Sequence, residues 1–250
     1  MPKRISLTLC LLTGVIFSGV PVEAARATSP ASSSVQPIAQ YGIAETFTQI
    51  AAEQPTAAQA MLTLKDLPSG FRELPPELAA EFASRLNVLS QQVGQGSLKP
   101  ENFFAFVNPE NFQIVLGFTN KFPNQPEQAS FDASLQQLQK PEVQQQILSQ
   151  LQEQLKAYGE IKVTEYTALP GLNNLANAST GITLALEMQG QPLRLDFATF
   201  RRNTVGAFTA VMYPKGEQAA IAVGDVARKL DGRILQLSAD ANRSSLATVR

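Results

Sequence analysis

The 250-residue chain has no histidine and no tryptophan, and its one cysteine is Cys10. Without histidine it lacks the usual general base at neutral pH and the commonest zinc ligand. With cysteine confined to the first ten residues, the rest has no thiolate nucleophile, iron–sulfur ligand or redox pair. Charge of one sign is lacking as well. Twenty Lys+Arg stand against 21 Asp+Glu, a formal −1, which argues against nucleic-acid binding. Ser-x-x-Lys, Gly-x-Ser-x-Gly, a Walker loop and EF-hand spacing are all missing. The expectation is a protein that is not an enzyme and holds no cofactor or metal. A hydrolase would require the fold to unite two carboxylates, or a Ser and a Lys, that the sequence does not pair.

Long apolar runs are scarce too, and the longest opens the chain. Lys3 and Arg4 precede Ile5–Val20, and Val22-Glu23-Ala24 places small residues at the −3 and −1 positions of a cleavage site. Basic start, apolar middle and small-x-small ending read as a secretory signal peptide cleaved after Ala24. The apolar run, roughly 16 residues, is short against the ~20 that span a bilayer. The alternative is a retained anchor. Residues 25–40, rich in Ser, Ala and Pro, read as a flexible linker. The expected location is outside the cytoplasm: periplasm, thylakoid lumen or extracellular space, with no transmembrane segment in the processed chain.

The remaining pattern alternates between helix and strand periods. Residues 41–97 read as an N-terminal helical segment. One helix runs over Ile43–Leu64 and is split at Pro55, and another opens at Pro75-Pro76-Glu77 with an apolar stripe Leu78, Phe82, Leu86, Leu89, Val93. Residues 98–238 read as an α+β sandwich. Phe104 and Phe106, then Phe112, Ile114, Leu116 and Phe118, form a hairpin about the turn Asn108-Pro109-Glu110-Asn111. Ser130–Tyr158 is helical with a break at Pro141. Four strands follow, around 161–166, 181–188, 193–200 and 207–213, and a last helix spans Gln218–Leu235. Residues 239–250 read as a frayed tail. Short connections make the sheet antiparallel. The expectation is α+β: about six antiparallel strands between helices, with Leu86, Phe112, Leu151, Leu195 and Val226 in the core.

Charge is uneven along the chain. Residues 40–190 hold 8 basic and 15 acidic side chains, whereas 191–250 hold 9 and 5. Two readings stand: oppositely charged elements pack together, or a basic C-terminal face meets an acidic partner. The residues that would make such a contact are Arg201 and Arg202 at a hairpin end, with Arg228, Lys229 and Arg233 on the last helix. Glu73, Glu77 and Glu81 recur every four residues, which suits either a solvated helix edge or a hard cation.

Leu67-Pro68-Ser69-Gly70-Phe71, the aromatic hairpin and the mid-chain helix make a recognisable series. Phe200-Arg201-Arg202-Asn203, the strand to Tyr213 and Val223-Gly224-Asp225-Val226-Ala227-Arg228-Lys229-Leu230 complete it. In this order of elements the chain resembles the PsbP-like and LpqN-like exported proteins over about residues 61–235. The resemblance implies an antiparallel sheet between helices and a non-enzymatic accessory role beside a membrane complex or envelope partner. The alternative reading is a small-ligand carrier or sensor, with Phe103, Phe104, Phe106 and Phe118 lining a pocket.

Overall fold

The computed structural model describes residues 56–80, 102–156, 161–188 and 190–248. The expected signal peptide, the linker and Glu81 and Leu86 lie outside them. Seven strands form one antiparallel sheet: β1 (Arg72–Glu73), β2 (Asn102–Asn108), β3 (Gln113–Lys121), β4 (Ile161–Ala168), β5 (Ala178–Met188), β6 (Gln191–Arg202) and β7 (Val205–Pro214). Their spatial order is β1-β2-β3-β7-β6-β5-β4. The β2–β3 hairpin is thus joined to a β4–β7 meander through β3 and β7, with Val115 opposite Val211. The seventh strand is the two-residue β1, too short to leave a periodic signal.

Two helices connect β3 to β4. In α1 (Gln125–Leu138), Asn124 caps the first turn by accepting the Glu127 N–H. Pro141 cannot donate to the preceding turn, so it ends that helical path and opens α2 (Pro141–Lys156). The C-terminal helix α3 (Val223–Thr248) begins later and runs further than its apolar stripe implied. Among the described residues, no helix is long and apolar enough to cross a membrane.

Strand alternation divides the core in two. Phe104, Phe106, Val115, Ala198, Phe200, Ala207 and Val211 face α3, which answers with Val226, Leu230 and Ile234. Leu116, Phe118, Leu184, Leu186, Leu195, Phe197 and Phe208 face α1 and α2, where Ile147 joins them. Helices therefore pack on both sides of the sheet. Leu195 and Val226 are buried as expected, and the Leu151 side chain lies outside the description.

Three expectations change. Residues 57–59 make only a 3₁₀ turn, and Met61 and Leu62 lie beyond it in extended chain, not in a helix. There the Ala60 carbonyl accepts from Thr119, so a β-sheet side chain takes the place of a helical partner. Residues 76–80 are helical, but Glu73 sits in β1 and does not share a helix edge with Glu77. Phe112 is not in the core. It ends the hairpin turn before β3 starts, in the left-handed region at φ 52°, and is 65% exposed.

Candidate functional site

Three arginines on β6 each meet a carboxylate. Arg201 faces α1, where its Nε donates to Asp132 Oδ1 at 2.7 Å and its Nη2 to Asp132 Oδ2. Arg202, one residue on and therefore on the other side of the sheet, donates from Nε and Nη2 to Asp231 of α3 at 2.7 and 2.6 Å. A further Nη2 bond reaches the Leu175 carbonyl. In both cases hydrogen bonding to the carboxylate raises the arginine pKa above its ordinary value, against the pull of burial. Two adjacent residues thus tie β6 to the helices on both of its faces.

The five arginine and lysine residues singled out by sequence therefore do not form one surface. Arg201 and Arg202 are engaged by their own chain on opposite faces. Arg228, Lys229 and Arg233 are exposed on the side of α3 away from the sheet, because Val226, Ala227, Leu230 and Ile234 turn the other side inward. Of these, Arg228 pairs with exposed Asp225 at 2.8 Å, and Arg233 donates to Gln236. The uneven charge is partly absorbed within the fold, since Arg201–Asp132 and Lys215–Glu165 each join the basic C-terminal part to the acidic part before it.

The third arginine sits in a different setting. Towards β4 the α3-facing side of the sheet turns from apolar to polar: Arg194 and Asp196 on β6, Thr183 on β5, Glu165 and Thr167 on β4. The turn after β7 adds Lys215, Gly216 and Glu217. Together with Ala185 all of these but Asp196, which lies beneath, line an open cleft of about 450 Å³. Asp196, itself buried, organises the floor. Its Oδ1 accepts from Thr183 Oγ1 at 2.6 Å and Arg194 Nε at 3.1 Å, while Oδ2 accepts from the Tyr213 hydroxyl at 2.8 Å. Arg194 Nη2 also donates to Thr183 Oγ1. Burial lowers the Arg194 pKa, but the hydrogen bond and charge of Asp196 outweigh it and leave it raised. Burial, then the Asp196 contact, pushes the Tyr213 phenol up to about 12.

A buried amide anchors the chain that follows the rim. Gln113 on β3 donates from Nε2 to the Ile221 carbonyl and accepts the Ala220 N–H at Oε1. This fixes the chain between β7 and α3. Lys215 N–H bonds to the Pro192 carbonyl, and Gly216 takes φ 97°, a backbone geometry that a side chain would strain. From there the Lys215 ammonium lies 3.7 Å from Glu165 Oε2 across the cleft.

The four phenylalanines proposed as a pocket lining are divided by the sheet. Phe104 and Phe106 belong to the α3 side, and Phe103 and Phe118 to the other. Phe104 lies over Gly117, where a Cβ would come within 2.5 Å of its ring, and Phe118 stacks on Phe208 at 5.3 Å. These rings fill core space on two sides and do not converge on one pocket.

No protein-family model matches the chain, and no curated protein matches it.

Proposed function

We infer that this chain is an exported, non-enzymatic accessory protein that docks on an acidic protein surface, through the outward side of α3. The observation that carries this reading is the exposed row Arg228, Lys229 and Arg233. Asp231, the acidic residue between them, turns inward to Arg202, so the outward side keeps three cations against Asp225. Such a row favours association with a negative partner, at a rate that falls with ionic strength. The hairpin, two helices, four-strand meander and terminal helix lend support as well. They follow the order on which the resemblance to PsbP-like and LpqN-like proteins rests, a group implying partners in or near a membrane complex.

Fractionation of native membranes and the adjoining soluble compartment tests this. The expected result is a processed chain that co-sediments with a large complex at low salt and is released at high salt. A chain found free and monomeric at low salt contradicts it.

A further inference from the structure

We propose that the open cleft between β4, β6 and the turn after β7 binds a small zwitterion, a molecule carrying a carboxylate and an ammonium group a few ångströms apart. Its volume of about 450 Å³ falls within the range of small-ligand sites, about 300–1,000 Å³.

The floor is preorganised. Arg194 is held through Nε and Nη2 by Asp196 and Thr183, and among the described residues its Nη1 donates to no partner. A guanidinium fixed in this way can receive a carboxylate without first being ordered. The walls carry both signs. Lys215 and Arg194 supply positive charge, while Glu165 and Glu217 supply negative charge. An anion alone would meet the two glutamates, and a cation alone would meet Arg194 and Lys215. A molecule with both charges matches both.

The pair that the ligand must displace is weak. Lys215 and Glu165 are each about half exposed and 3.7 Å apart, beyond hydrogen-bonding distance. Exposed pairs of this kind are worth little, so a carboxylate at Lys215 and an ammonium at Glu165 can replace the contact with two closer ones. This inference does not depend on docking through α3, which lies on other residues.

The probe is alanyl-alanine, titrated into the isotope-labelled protein and followed by NMR shifts. The N-acetylated and C-amidated forms, each lacking one charge, serve as controls. Saturable shifts are expected at residues 165–167, 183–185, 194 and 215–217. The zwitterion should bind about tenfold tighter than either blocked form, as expected for one lost charge-assisted contact. Lys215→Gln and Glu165→Gln should each weaken it several-fold while leaving the rest of the spectrum in place. Equal binding of the blocked forms, shifts elsewhere, no saturation, or unchanged affinity in both variants overturns the proposal.

Discussion

The two ends of β6 use the same chemistry for different ends. At the C-terminal end, Arg201 and Arg202 grip Asp132 and Asp231, and their side chains are only 13% and 22% exposed. At the N-terminal end, Arg194 grips Asp196 but stays 43% exposed above an open cleft. Where a helix lies across the strand, the pair joins two layers, and its removal strands a carboxylate in protein. Where no helix covers it, the carboxylate beneath orients a cation that still faces solvent. An Arg–Asp pair is thus a strut or a site according to what covers it.

The sharpest way to break this contrast is to truncate the struts. Arg202→Ala should destabilise by about 3 kcal/mol, because Asp231 is left largely buried without its cation. Arg201→Ala should follow closely, and the two losses should nearly add because they act on opposite faces. Urea unfolding measures both. Arg194→Ala should lose less, about 1–2 kcal/mol, since Asp196 retains Thr183 and Tyr213 as donors. If Arg194→Ala proved the most damaging of the three, the distinction between strut and site would fail.

Tyr213→Phe tests the floor of the cleft. At neutral pH it should lose about 1 kcal/mol through the missing hydrogen bond to Asp196. The pH dependence has a definite sign. The folded-state pKa, about 12, lies above the ordinary 10.0, so the folded form holds this proton more tightly. The Tyr213 contribution is complete below pH 10 and is lost as pH rises through about 12. The stability gap between wild type and Tyr213→Phe should therefore narrow across that window, and a gap that widens contradicts the assignment. Smaller still, Lys215→Gln should change stability by no more than about 0.5 kcal/mol, as an exposed partner should. Tyr166→Phe should be neutral or slightly stabilising, because this buried hydroxyl has no hydrogen-bond partner among the described residues.

Much of the sheet was legible because its alternation is regular. Leu195 and Phe197, or Phe208 and Ala210, repeat at the spacing of a strand. The helix break at Pro141 was legible for the same kind of local reason. What failed was local pattern without tertiary context. Phe112 continues the alternating stripe on paper, but Asn108 and Asn111 cap the turn through their side chains and leave Phe112 outside it. Residues 57–62 carry a helical pattern, yet the chain there makes a single 3₁₀ turn and then leaves it, with the Ala60 carbonyl held by Thr119 of β3. Arg201-Arg202 was visible as a basic pair, but its partners are 69 and 29 residues away in sequence, and no spacing rule reaches that far. The cleft had a signal that went unread. Arg194 and Asp196 alternate with Leu193, Leu195 and Phe197, as Thr183 does with Ile182 and Leu184, so a polar face on β5 and β6 was written out of phase with the apolar one.

The central claim is that Arg201 and Arg202 of β6 hold the fold while the charges on the outside of α3 are available to a partner. The most direct measurement compares retention on native membranes for wild type and for the triple charge reversal Arg228→Glu, Lys229→Glu, Arg233→Glu, with circular dichroism and urea unfolding alongside. The account predicts a variant that unfolds within about 1 kcal/mol of wild type and is no longer retained at low salt. A folded variant retained as well as wild type would contradict it.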